Sequence, residues 1–531
     1  AENIYKEDIK TITSIANKYL EMFPRGRFYL LIPEVDGWNF GKWSEKKVNG
    51  EKYTVLNSVL LGNEEFKGGA RDAHKIITSK IKPVFKAIQK KILFPERFHV
   101  VFMACDCLFE LQSFYESGAD IVLNKNIERQ NINLVVANAR GTAKAYQKEY
   151  GFGIDCWFKR TINTYSDNEL NQILKIYFYA GGKYFYPEFI CASPYAVNGN
   201  VSKYPTFLGQ IWLDFIRRCA VHPEMGNQKV KIAFIRSFGK KGKEFAGHWK
   251  MNKDYIFFET VFPKFYDSTS ERLATGTPYG PADIIPHTSP LFVLNEYSIA
   301  VFLGSDGFDM NENVYANLKS FVENGGVLIL PLGQMRKADG AFLKKDMKDF
   351  LGLELDNNET IPKCESGIVE NKLGKGRVYI VMDEYLAEQN KSKTASIIRN
   401  ELNKVKWLEF APGSDWLEYM VQKKGDIYIL PVFNHGNVGF PSGNGKKSGP
   451  WLGKATLDLS RFEFSDGELA VYKSVYLPSE KLPYKLEKLD SIQVDGKLSF
   501  DLEVDKFSEI VLGPKDKVNA DYFSRKEKND K

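Results

Sequence analysis

The chain has 531 residues, 43% of them hydrophobic and 26% charged, with a formal net charge of +6. That length exceeds what one hydrophobic core supports and implies about three domains, and the composition excludes a disordered chain. Lys and Glu are interspersed without the long basic runs of a nucleic-acid binder, and no apolar run of about 18 residues is present to span a membrane.

The first 225 residues alternate strands with helices. RFYLLIP (27–33) is an apolar strand ending at Pro33, with Glu34 and Asp36 beyond it. A helix is predicted over 72–91, a strand over 98–105, a helix over 108–118 and a strand over 119–126. The pattern continues with a helix over 131–151, a strand over 152–158, a helix over 166–182, a strand over 183–189 and a helix over 205–219. Strands that are apolar throughout and separated by helices imply a parallel sheet covered on both faces. Without a Gly-rich phosphate loop, the repeated units favour a (β/α)8-type, TIM-like barrel over a doubly wound sheet, and with five or six strands countable an incomplete or irregular barrel is the alternative.

A second alternation begins at VKIAFIR (230–236) and runs through YSIAVFLGS (297–305), a helix over 311–326, VLILPLG (327–333), GRVYIVMD (376–383) and a helix over 393–404. It predicts an open three-layer α/β domain of flavodoxin or amidotransferase type. After Trp407 the period changes to two, and LEYMVQKKGDIYILPVFNHG (417–436) reads as a hairpin turned at Lys424-Gly425. An antiparallel β-sandwich is expected there. The predicted organisation is a barrel over 1–225, an α/β domain over 226–406, a sandwich over 407–514 and a frayed, charge-rich tail over 515–531.

Three stretches carry a family resemblance. IWLDFIRRCAVHPEMG leads into VKIAFIRSF (211–238); NLKSFVENGGVLILP (317–331) hands a helix to a strand through a Gly pair; and GKGRVYIV is followed by WLEYMVQKKGDIYILPVFNHG. In this order the chain resembles bacterial β-galactosidase-type glycoside hydrolases, in which an amidotransferase-like domain follows a catalytic barrel. True amidotransferases use a Cys nucleophile at a Gly-flanked turn. The middle segment has only Cys364, in IPKCESG, and VLILPLG has no thiol, so this domain is expected to be structural and to offer a surface for homo-oligomers.

The resemblance implies hydrolysis of a glycosidic bond, which needs a protonated and an ionised carboxyl group. On a parallel barrel these belong at the C-terminal ends of strands. Glu188 at the tip of KYFYPEF is the candidate nucleophile or general base, Glu128 in NKNIERQ the candidate general acid, and Asp155 a reserve for either role. The resembling enzymes keep their acid in an Asn-Glu pair, whereas here Glu128 follows Asn126 with one residue between. Lys125 and Arg129 bracket the Glu128 loop, and Lys159 and Arg160 follow FGIDCWF. Arg129, Lys159 and Arg160 are candidates for recognising a sulfated or carboxylated sugar, and Trp38, Trp157 and Tyr186 for stacking on a sugar ring. The bland alternative for the charged residues is a solvated surface, and for the aromatics a core.

The expected partner is therefore a carbohydrate, with no nucleic acid. A non-catalytic glycan-binding protein and a polysaccharide lyase remain as alternatives. No HExxH, HxH or GxSxG motif occurs, the six histidines show no pairing, and the six cysteines form no zinc ladder. No metal or cofactor is expected. A chain that begins at Ala1 fits either a removed signal peptide or a trimmed sequence; a secreted or periplasmic protein is the expectation on the first of these.

Overall fold

The structure is a computed structural model and describes residues 6–33, 46–48, 51–53, 70–104, 111–126, 132–155, 167–188, 196–197, 200–201, 207–237, 279–303, 310–337, 339–343, 346–354, 367–382, 388–412, 414, 417–438, 449–477 and 483–524. Helix α1 (Lys6–Met22) precedes β1 (Phe28–Pro33). Four helix–strand units follow. They are α2 (Ala70–Gln89) with β2 (Phe98–Ala104), α3 (Leu111–Ser117) with β3 (Ile121–Asn126), α4 (Ile132–Tyr146) with β4 (Glu149–Asp155), and α5 (Asp167–Tyr179) with β5 (Tyr184–Glu188). All five strands are parallel and adjacent in chain order. Helix α6 (Phe207–Val221) packs on α5.

The period of two sorts the side chains. Val100, Phe102, Val122, Phe152 and Ile154 face the helices and share their core, while Val101, Met103, Ile121 and Leu123 form a smaller cluster on the other face with Leu31, Tyr184 and Tyr186. The sheet curls until its two edges approach: Tyr29 of β1 and Tyr184 of β5 lie 5.9 Å apart, ring to ring. Gly151 permits the close packing. A Cβ there would fall 2.1 Å from the Tyr184 carbonyl oxygen and 2.8 Å from Leu123 Cδ2. Among the described residues a curled five-stranded sheet thus stands in place of a complete (β/α)8-type barrel, in line with the five or six strands countable in the sequence.

The second sheet joins β6 (Ile232–Arg236), β7 (Ala282–Pro286), β8 (Ile299–Leu303), β9 (Val327–Pro331), β10 (Ile368–Leu373) and β11 (Gly376–Val381) in the order β7-β6-β8-β9-β11-β10. Only the β10–β11 pairing is antiparallel. Separate cores cover its two faces, one including α7 (Glu312–Glu323) and the other α8 (Glu388–Asn403). Towards the C-terminus two antiparallel sheets face one another. One is centred on Ile427–Asn434 and Phe507–Pro514, the other on Trp451–Asp458 and Lys497–Val504, and their buried side chains form one cluster. Charge alone predicts a frayed end after residue 514. Instead Val518–Phe523 is helical, and Val518 and Tyr522 pack on Ile427, Ile429 and Val511.

Helix α4 binds the first sheet to the second. Its residues are buried without interruption from Ile132 to Ala143. Val135, Val136 and Ala139 enter the first core, while Leu134 and Ala137 enter a core with Ile232, Phe234, Ala282 and Ile284 of the second sheet. Gly141 lies against β7, where a Cβ would come within 2.3 Å of the Ile284 carbonyl oxygen. Beside it Arg140 Nε donates to Asp283 Oδ1 at 2.6 Å and its NH2 to the Ala282 carbonyl at 2.9 Å. Lys144 Nζ and the Tyr297 hydroxyl donate to Asp283 Oδ2 at 3.1 and 2.8 Å. Burial would raise the Asp283 carboxyl, but the Arg140 and Lys144 charges outweigh it and hold the group below its ordinary value.

Removing one partner of such a pair strands a buried charge. Arg140→Met is expected to cost about 3–5 kcal/mol, read as a drop in the urea denaturation midpoint. A variant as stable as the wild type would show that the pair does not join the sheets.

Candidate functional site

On a parallel curled sheet the loops after the strands form the reactive end, and the opposite end serves stability. At the N-terminal ends of the strands Glu149 accepts from Lys183 Nζ at 2.5 Å and from the Tyr184 hydroxyl at 2.6 Å, while Tyr29 stacks on His99 at 5.2 Å. Burial would raise Glu149, but the Lys183 and Tyr184 hydrogen bonds win and lower it. A cavity of about 740 Å³ also lies at this end, between the start of β5 and α6, lined by Phe178, Phe185, Trp212, Phe215, Cys219 and His222. Burial pushes the Cys219 thiol up to about 12, so it is neutral and unreactive. This apolar cavity is remote from the strand ends where chemistry is expected.

At the other end the inner-face positions stack in layers. Lys125, Gly153 and Tyr186 form one layer through the pairings Lys125↔Gly153 and Gly153↔Tyr186. One step further along, Asp155 and Glu188 are register partners at the last positions of β4 and β5. Their backbones are described; their side chains lie outside the described residues. Tyr186 is half-buried and packs on the inner cluster. The remaining candidates, Glu128, Trp38, Arg129, Trp157, Lys159 and Arg160, also lie outside the described residues.

Lys125 departs from its expected place. As a bracket of the Glu128 loop it reads as a solvated cation, but only 3% of it is exposed. The strand period places it on the inner face, and Gly153 opposite leaves room for its stem. A Cβ at Gly153 would meet Lys125 Cβ and Cγ at 3.4 Å. The signal was its alternation with Leu123 in IVLNKN, which the neighbouring charges obscured.

Three histidines pair with glutamates, although nothing in their spacing announces it. His435 Nε2 lies 2.7 Å from Glu418 Oε2, deep in the C-terminal sheets. His222 Nε2 lies 2.9 Å from Glu509 Oε2, and Glu509 also accepts from the Tyr179 hydroxyl and from the Tyr522 hydroxyl at 2.5 Å. His74 stands between Ser113 Oγ (2.9 Å from Nδ1) and Glu116 Oε2 (3.2 Å from Nε2). That Ser-His-Glu order imitates a nucleophile relay, but Ser113 is fully buried within α3, where no carbonyl substrate can approach. Among the described residues no cluster of His, Cys, Asp and Glu could hold a metal ion, and no helix is long and apolar enough to cross a membrane.

No protein-family profile and no curated protein matches the chain. Solved structures do. The chain is structurally similar to GH42 β-galactosidases. Gan42B, a GH42 β-galactosidase, aligns with a TM-score of 0.50 and 9% identity over 97% of this chain and 75% of that one. A catalytic mutant of Gan42B from G. stearothermophilus gives 0.51 and 9% over 84% and 68%. The α-L-fucosidase isoenzyme 2 from Paenibacillus thiaminolyticus gives 0.53 and 11% over 84% and 72%. At such identities the likeness is one of fold, and it agrees with the resemblance drawn from the sequence.

Two outcomes follow. Ser113→Ala should cost about 1 kcal/mol of stability and leave any glycan cleavage unchanged; lost cleavage would make the relay functional. The second concerns Glu509, which burial would raise but which the His222 charge and hydrogen bond, with the two hydroxyls, lower from 4.5 to about 2. Its stabilisation is complete above its unfolded value and is lost as the pH falls through the folded one. The thermal midpoint of Glu509→Gln should therefore lie well below wild type near about pH 7 and approach it towards about pH 2. A constant gap would show that Glu509 is not the titrating group.

Proposed function

We propose that the chain is a glycoside hydrolase acting on an oligo- or polysaccharide, with Asp155 and Glu188 as its carboxylate pair. The observation that carries this reading is their position: register partners on adjacent parallel strands, at the C-terminal ends of a sheet curled like half a barrel. Adjacent strands run about 4.8 Å apart, near the separation of about 5 Å that a nucleophile and an acid/base require to retain anomeric configuration. Glu188 is the nucleophile in this scheme. Asp155 protonates the leaving oxygen, then takes a proton from the water that releases the glycosyl-enzyme. Lys125, buried one layer below, stabilises negative charge at the pair. Tyr186 offers a ring face beside it, and Trp38, Arg129, Trp157, Lys159 and Arg160 supply stacking surfaces and cations for an anionic sugar. Carbohydrate is the partner, and the GH42-like fold supports that choice.

A panel of neutral, sulfated and uronic polysaccharides, assayed for new reducing ends, should identify a cleaved glycan. On it Glu188→Gln and Asp155→Asn should each lose about a thousandfold or more in kcat, Glu128→Gln should lose little, and proton NMR should show the product anomer retained. Loss at Glu128 with Asp155→Asn unaffected would move the acid to the β3 loop and end the register-pair assignment. Saturable binding without cleavage of any glycan would make the chain a glycan-binding protein.

A further inference from the structure

Helices α5 and α6 meet the turn before Phe507 at a place where three cations gather. Lys175 Nζ lies 5.2 Å from the centroid of the Phe507 ring, and the Arg218 guanidinium carbon 5.5 Å from the same centroid. Arg218 also lies 5.0 Å from the Tyr476 ring. Lys506 adjoins Phe507, and its carbonyl is held by Gln172 Nε2 at 3.0 Å, one turn before Lys175 on α5. All three cations are half-buried.

The acids nearby are engaged elsewhere. Glu509 is enclosed by His222, Tyr179 and Tyr522, and the exposed Asp505 accepts from Asn437 Nδ2 at 2.5 Å. Among the described residues no ion pair includes Lys175, Arg218 or Lys506. Three like charges held at the seam between two units repel one another, and partial burial weakens the screening that would relieve them. An aromatic ring offsets part of that cost, about 0.5–2 kcal/mol for each cation. Tyr179, Tyr484 and Glu509 favour the Arg218 charge from nearby and Asp505 favours that of Lys175, but among the described residues no carboxylate forms an ion pair with any of the three.

We propose that Lys175, Arg218 and Lys506 form a binding site for a sulfate- or phosphate-like oxyanion, separate from the C-terminal ends of the curled sheet. The guanidinium supplies a planar donor fork, the two ammonium groups supply point charges, and Tyr476 presents a ring beside them. The electrostatics agree. Burial first, then the charges of Arg218 and Lys506, bring the Lys175 ammonium down to about 7, with Asp505 opposing weakly. A bound oxyanion would restore its proton. A sulfate ester on a polysaccharide and a free inorganic ion present the same chemistry, and the experiment separates these sources.

The test is calorimetric titration of the full chain with inorganic sulfate, inorganic phosphate, sulfated dextran and neutral dextran in chloride-poor buffer. Saturable binding of the sulfated or phosphate probes is expected, weakened about tenfold or more by Lys175→Met and by Lys506→Gln, with none to neutral dextran. Tighter binding of sulfated dextran than of sulfate assigns the site to a glycan; binding of the free ions alone assigns it to an inorganic anion. Thermal melting provides an independent readout. Relief of repulsion predicts that Lys175→Met melts no lower than wild type without anion, and that sulfate raises the midpoint of wild type more than that of the variant. Absent binding, or binding unchanged in both variants, would overturn the site. So would a Lys175→Met that melts lower and is indifferent to sulfate, which would leave Lys175 with only its contact to Phe507.

Discussion

Helix α4 has no face to spare, and much of the architecture follows from that. A helix buried all round must find partners for its polar groups inside the protein, and α4 does so at three points along its length, although Asn138 Nδ2 and Arg140 Nη1 have no hydrogen-bond partner among the described residues. Asn133 reaches Glu418 in the C-terminal sheets at 3.3 Å, the Asn138 side chain accepts from Thr142 at 3.2 Å, and Arg140 grips Asp283 and Ala282 of the second sheet. One helix thereby touches all three sheet systems. Its apolar side chains supply adhesion, but the polar contacts set the register, because only one axial position brings Arg140 to Asp283 while Gly141 clears the Ile284 carbonyl.

The curl of the first sheet has a comparable local cause. β4 carries Gly151 and Gly153 on its inner face, between Leu123 and Lys125 on one side and Tyr184 and Tyr186 on the other. Without side chains there, the third and fifth strands can lean over the fourth and the sheet curls until its edges approach. Tyr184 and Tyr186 pack on the inner-face cluster of Val101, Met103, Ile121 and Leu123. The same two glycines that bend the sheet also make room for a buried lysine beneath the position of Asp155 and Glu188.

Much of this could be read from the residues. The apolar runs at Phe98–Ala104, Ile121–Asn126 and Ile299–Leu303 are strands because nothing else buries so many adjacent side chains in so short a stretch. Helix α7 lies between Asn311, which caps it through Val314 N, and the Gly325-Gly326 pair. Local chemistry suffices for elements like these. It fails where partners are distant. β7 is five residues long with an aspartate inside it and is absent from the predicted elements; its partner Arg140 lies 143 positions earlier. The helix predicted over 131–151 overruns because Gln147 turns to a φ of 53° and pairing with β3 draws Glu149 and Tyr150 into a strand. For the site, the strand ends were legible from period and order, whereas the burial of Lys125 depended on a glycine in another strand.

The abrupt changes of pattern near residues 226 and 407 invite division of the gene at those points. The Arg140–Asp283 contact argues against it. A fragment ending near 225 would keep the guanidinium and lose the Asp283 carboxylate that it pairs with, together with the surface that Leu134 and Ala137 cover. It would expose an apolar stripe interrupted by two cations, Arg140 and Lys144, both without the Asp283 carboxylate. The breaks in the sequence mark where the chain changes its manner of folding, while the energetic unit runs across them.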